Sequence, residues 1–131
     1  MSVTGSVLLD TSVVVAHFRG DSGVTPRLAG AAALYVPWAV LGELHYGARR
    51  ARRPEEAVAR IREFLDIAVV LWPDERSAEL YGQIKAELAQ AGTPIPENDI
   101  WIAALAREYQ LPLATRDQHF ALVPGLTVLV W

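Results

Sequence analysis

The stretch VLLDTSVVVAHF (7–18) is apolar except for Asp10, the two hydroxyls of Thr11 and Ser12 behind it, and His17 near its end. Val7 to Leu9 read as a strand and TSVVVAHFRG as a helix stopped by Gly20. A strand running straight into a helix is the first half of a βα unit. An ionised carboxylate at that junction is costly to bury unless something satisfies it. Asp10 therefore either caps the helix or takes part in chemistry.

The same alternation continues along the chain. LYVP (34–37), AVVLW (68–72), LPLAT (111–115) and LTVLVW (126–131) read as strands. Between them, WAVLGELHYGARRA, PEEAVARIREFLDI (54–67), PDERSAELYGQIKAELAQAG and NDIWIAALAREYQ carry helical spacing, and SGVTPRLAGAAA reads as a weaker helix. Pro54 suits a first helical position and Gly92 a helix end. Strands separated by helices predict an α/β fold with a mainly parallel central sheet flanked by helices, in one domain spanning 1–131. Ile100 to Ala106 are all apolar, which predicts a helix buried on every side.

Composition narrows the function classes. With 131 residues, 52% hydrophobic, and a mean hydropathy of +0.20, the chain has ample material for a core, and part of it suits a subunit interface. There are no cysteines, which excludes disulfides, zinc–thiolate sites and thiol nucleophiles. The first ten residues lack the basic region of a signal peptide, and the longest uncharged stretch, Leu28 to Gly42, is short for a membrane span and contains Pro37. The expectation is a cytoplasmic protein with no membrane contact. Net charge is −3, from 15 acidic and 12 basic residues, so bulk positive charge does not hold a partner. The dense basic cluster is Arg49, Arg50, Arg52 and Arg53, either a solvated helix end or a phosphate contact.

Most acids fall on polar helix faces. Asp10, Glu43, Asp99 and Asp117 do not: Asp10 ends a strand, Glu43 lies within VLGELHYG, Asp99 begins the buried helix and Asp117 follows LPLAT. Singly, each has an ordinary explanation. Asp10 and Asp117 are placed to cap, Asp99 suits the helix dipole, and Glu43 has arginines nearby. Together they point to one crevice, because ligands of open α/β sheets bind beyond the carboxyl ends of the strands. Two unit charges about 4 Å apart repel by ~4 kcal/mol at an effective dielectric of 20. A divalent cation relieves that repulsion while keeping the carboxylates ionised, and oxygen ligands suit Mg²⁺ or Mn²⁺. Such a cation also activates water and neutralises a phosphodiester.

LLDTSVVV around Asp10, GELHYGA around Glu43, NDIWIAALA around Asp99 and LATRDQHF around Asp117 stand in the order and at the separations of a known family. Across essentially its whole length the chain resembles a PIN-domain ribonuclease of the VapC toxin type. The resemblance implies a three-layer fold, Mg²⁺- or Mn²⁺-dependent endonucleolytic cleavage of RNA, a homodimer and a cognate antitoxin protein that covers the site. By motif position it implies Asp10, Glu43, Asp99 and Asp117 as the metal-site acids. By proximity, Thr11, Ser12, Asn98 and Thr115 are candidate supporting groups. Arg49, Arg50, Arg52, Arg53 and Arg116 are candidate phosphate contacts that offset the acidic site.

His17, His45 and His119 are not spaced as a metal pair, and His119 reads as structural beside Phe120. Trp101 falls in the buried helix, while Trp38, Trp72 and Trp131 read as core or interface. Two rivals remain. A phosphotransferase with Asp10 as nucleophile loosely fits DTSV but lacks the second Asp of a D-x-D pair, since position 12 is Ser. A non-catalytic RNA- or protein-binding module would use the acids only as caps.

Overall fold

The computed structural model describes residues 5–131. Its elements run β1 (Ser6–Leu9), α1 (Thr11–Phe18), α2 (Thr25–Gly30), β2 (Ala33–Pro37), α3 (Trp38–Arg49), α4 (Pro54–Phe64), β3 (Ala68–Leu71), α5 (Glu75–Ala91), α6 (Glu97–Glu108), β4 (Leu113–Thr115) and β5 (Val128–Val130), with a 3₁₀ turn over Gln118–Leu122 before the last strand. The five strands form a sheet in the order β3-β2-β1-β4-β5, and every pairing is parallel.

Successive side chains of a strand point to opposite faces. In β1, Val7, Leu8 and Leu9 are all fully buried, so helices cover both faces of the sheet at its centre. This is the three-layer α/β arrangement. The order matters for function. From β1 the chain moves outward through β2 and β3, then returns to the other side of β1 as β4. The carboxyl ends of β1 and β4 thus flank the point where the winding reverses, the place where such sheets bind ligands.

The helices follow their sequence patterns. Leu80, Ile84 and Leu88 form the buried stripe of α5, and Gly92, at φ 71°, ends that helix in the left-handed conformation. In α6, Ile100 and Ile102 to Ala106 are buried, but Trp101 is only partly so. Its indole stacks on Tyr81 of α5 at 4.2 Å and meets Trp38 edge-on at 5.6 Å. The helix is therefore buried on nearly every side, with one aromatic corner open. Trp131 is buried, while Trp72 is 63% exposed and belongs to no core in the monomer.

The strands are shorter than the apolar runs suggest, most visibly β4 and β5, where parallel pairing starts only at Leu113 and Val128, after Leu111 and Leu126 have opened the runs. α4 likewise stops at Phe64, and Leu65 to Ile67 form a turn into β3. No described helix is long and apolar enough to cross a membrane.

A capping box starts α5. The Asp74 carboxylate accepts from the Ser77 backbone N–H at 3.0 Å, and the Ser77 hydroxyl accepts from the Asp74 N–H at 2.9 Å. Ser77 is fully buried and its hydroxyl also donates to Glu108 of α6 at 2.5 Å. Ser77→Ala removes the partner of the Asp74 N–H and of the Glu108 carboxylate. It is expected to lower stability by about 1–2 kcal/mol in urea unfolding, with no change in the site acids.

Candidate functional site

β1 and β4 are adjacent, with Leu9 opposite Ala114, and the ladder extends one step further through the Asp10 N–H to Ala114 C=O bond of 3.0 Å. That bond fixes Asp10 at the carboxyl edge of the sheet. Asp10 occupies the N-cap position of α1, yet its side chain caps nothing. Its Oδ2 instead accepts from the Ser12 hydroxyl at 2.9 Å and the Thr115 hydroxyl at 2.7 Å.

The direction of those bonds is determined by their neighbours. Ser12 Oγ accepts the Arg116 backbone N–H at 3.0 Å, and Thr115 Oγ1 accepts the Asp117 backbone N–H at 2.9 Å. Each hydroxyl thus has its proton free for Asp10. Asp10 is 5% exposed and Thr115 is 1% exposed, so this is a buried carboxylate held by neutral hydroxyls. No lysine or arginine forms an ion pair with Asp10, Glu43, Asp99 or Asp117 among the described residues.

Glu43 arrives from α3, half-buried. Its carboxylate accepts from Thr11 Oγ1 at 3.1 Å and, at the 3.5 Å limit, from Asn98 Nδ2. Burial pushes its carboxyl above the ordinary range, and the charges of Asp10 and Asp117 push the same way against those hydrogen bonds. Asp99, on the first turn of α6, is buried, and its carboxyl is raised to about 6. Burial is the main cause. The charges of Asp117 and Asp10 add to it, and a hydrogen bond from His119 opposes it.

Asp117 does cap: its Oδ1 accepts the His119 backbone N–H at 2.9 Å and opens the 3₁₀ turn. The four acids that the sequence singles out therefore share one crevice. They are linked through Thr11, Thr115 and Asn98, and the charges of Asp10 and Asp117 raise the carboxyls of Glu43 and Asp99. The arginines near Glu43 in the sequence form no ion pair with it, and its partners are a hydroxyl and an amide. Converging carboxylates without a lysine or arginine partner among the described residues, one of them buried on hydroxyls alone, make a donor set that fits a divalent cation.

A family model described as PIN domain matches residues 7–126. The chain belongs to the PIN domain family. Ribonuclease VapC2 of Haemophilus influenzae is 35% identical over 127 residues, spanning 95% of this chain and 96% of that protein. The tRNA(fMet)-specific endonuclease VapC of Salmonella typhimurium is 37% identical over 92 residues, 70% of each protein. The crystal structure of DNA-bound VapBC from Salmonella typhimurium contains a chain that superposes with a TM-score of 0.86 at 28% identity, over 97% of both chains.

Two features of this PIN domain are not legible in the sequence. The first is His119. The 3₁₀ turn brings its Nδ1 to 3.1 Å from Asp99 Oδ2 and 3.1 Å from Asp117 Oδ1, so the residue read as structural stands inside the acid cluster. Its spacing gives no hint, because the partner Asp99 lies 20 residues away on another element.

The second is where the arginines point. A groove of about 440 Å³ between α1, α3 and α4 has Glu43 in its wall together with Arg19, Arg50 and Arg60. Of the RRARR cluster only Arg50 lines this groove. Arg53 pairs with Glu56 at 3.5 Å, Arg52 lines a separate hollow, and Arg49 faces another beside Arg62. Arg116, the remaining candidate, has partners within the protein. Its guanidinium bonds Asp21 at 3.0 Å through each of two nitrogens and the Trp131 carbonyl at 2.6 Å, tying the last residue to the α1–α2 loop.

Proposed function

We propose that this PIN domain is a metal-dependent endoribonuclease, the toxin of a toxin–antitoxin pair. The observation that carries the reading is the crevice at the β1–β4 edge, where Asp10, Glu43, Asp99 and Asp117 converge without a lysine or arginine partner. The names of the aligned relatives, two of them ribonucleases or endonucleases across most of this chain, support RNA as the substrate.

Asp10, Glu43, Asp99 and Asp117 would hold Mg²⁺ or Mn²⁺. When bound, such a cation supplies positive charge against the phosphodiester and makes water easier to deprotonate. The protein's own part is positioning. Ser12 and Thr115 hold Asp10 by one oxygen, and Thr11 and Asn98 hold Glu43. Each carboxylate is thereby kept in place without a competing positive charge. Arg19, Arg50 and Arg60 carry the RNA backbone toward Glu43 and offset the repulsion between substrate and acids. Hydrolysis then adds water across one phosphorus–oxygen bond, the water losing a proton and the departing oxygen gaining one.

The likeness to a chain of VapBC supports a protein antitoxin as partner, and the exposed Trp72, Val69 and Ile67 at the β3 edge are compatible with a further interface. Incubation of the purified protein, free of antitoxin, with structured RNAs including tRNA tests the reading. Discrete cuts in Mg²⁺ or Mn²⁺ that vanish in EDTA are expected. Intact RNA in both cations, from a folded protein that does not bind them, would contradict it.

A further inference from the structure

Among the carboxylate oxygens of the proposed cation site stands one nitrogen. His119 Nδ1 is 3.1 Å from Asp99 Oδ2 and 3.1 Å from Asp117 Oδ1. Asp99, Asp117 and His119 each offer a ligand atom, and these atoms all lie within 4.8 Å of one another. Only the Asp99 contact has hydrogen-bond geometry, so the ring nitrogen faces Asp117 without bonding it. A neutral imidazole carries one N–H, which cannot serve two carboxylates at once. The backbone holds the ring there regardless: the His119 N–H bonds Asp117 Oδ1 at 2.9 Å, and Phe120, the next residue, is fully buried.

The other two histidines are elsewhere. His17 bonds Thr25 and packs on Phe64, and His45 is exposed on α3. His119 is thus the single imidazole among the described residues positioned beside the acids.

We infer that His119 donates its ring nitrogen to the cation shared by Asp99 and Asp117, and that this nitrogen makes the site select Mn²⁺ over Mg²⁺. Mg²⁺ takes oxygen ligands almost exclusively and gives up its waters reluctantly, whereas first-row transition cations accept imidazole readily. A site of carboxylates alone would have no such bias. The inference rests on the reading of the acids as a cation site, and it adds the residue that sets which cation they keep.

The test is pulsed electron paramagnetic resonance of the purified full-length protein loaded with Mn²⁺, with parallel Mn²⁺ and Mg²⁺ titrations by calorimetry. Three proteins are compared: wild type, His119→Ala and His119→Asp. The side chain of His119 is 47% exposed, so neither substitution empties a core. Wild type is expected to show coupling from a directly bound ¹⁴N nucleus, absent from both variants. Mn²⁺ affinity is expected to fall about tenfold or more in His119→Ala. His119→Asp, which supplies an oxygen in place of the nitrogen, is expected to recover binding with the Mn²⁺ preference diminished. Mn²⁺ bound without nitrogen coupling, or with coupling that persists in both variants, would overturn the role of His119 and leave the four acids as the cation site. A folded wild type that binds neither cation would overturn both.

Discussion

Asp10→Asn is expected to lower RNA cleavage by a factor of about 10³ or more while leaving the fold at least as stable as wild type. The two effects separate because Asp10 makes no structural bond that asparagine cannot make. Its Oδ2 accepts from Ser12 and Thr115, and an amide oxygen accepts from both equally well. It caps nothing in α1. The substitution removes a negative charge that pushes up the carboxyls of Glu43 and Asp99, so both relax toward their ordinary values. The melting temperature should stay level or rise by a few degrees. Parallel cleavage assays and thermal unfolding check this. A variant that cuts RNA at the wild-type rate would remove Asp10 from the chemistry, and one that fails to fold would make it structural.

The second large effect is in the pH dependence of the metal-free protein. The Asp99 carboxyl stands at about 6 in the fold against an ordinary 3.8. Its folded value is raised, so the stability it contributes is present below 3.8 and lost as pH rises through 6. With EDTA present, lowering the pH from 7 to 5 is expected to stabilise the protein. Over that interval this one group contributes on the order of 1 kcal/mol, because the full effect of its shift is reached only below pH 3.8. Glu43 acts with the same sign. Asp21, Asp74 and Glu97, whose carboxyls are held low by hydrogen bonds to Arg116, Ser77 and Lys85 respectively, act in the opposite direction but at lower pH. A cation inverts the trend, since it binds the ionised carboxylates and competes with the proton. At about a hundred times its dissociation constant it adds ~2.7 kcal/mol, an increment that should shrink below pH 6. Urea unfolding from pH 5 to 8, with and without Mn²⁺, reads both slopes, and Asp99→Asn should flatten each.

What the sequence reveals about this site, and what it hides, follows from how far each contact reaches. Asp10 is conspicuous because a charge interrupts VLL and VVV, and Asp99 because it heads seven apolar residues. Strand-then-helix alternation places both at one end of a parallel sheet, and the fold class with them. The supporting groups Thr11, Ser12 and Thr115 are also legible, since they lie beside an acid in the chain and bond within the same cluster.

His119 is hidden because its proximity to Asp99 depends on a five-residue 3₁₀ turn, which leaves no periodic pattern. Arg19 and Arg60 are hidden for a similar reason. They meet Arg50 only when α1, α3 and α4 pack around one groove, whereas RRARR draws the eye to a cluster whose members diverge. The Arg116–Asp21 pair is hidden because its two members lie 95 residues apart. Strand starts are blurred because apolar residues precede the first paired one, as Leu111 does at β4 and Leu126 at β5.

The central claim is that the acids at the β1–β4 edge form a cation site. Calorimetric titration of the EDTA-stripped, antitoxin-free protein at pH 7.5, about 1.5 units above Asp99, measures it directly. Saturable binding of Mn²⁺ or Mg²⁺ by wild type, abolished in an equally folded Asp10→Asn, is the predicted result. Wild type that takes up neither cation, or an Asp10→Asn variant that binds as wild type does, would contradict it.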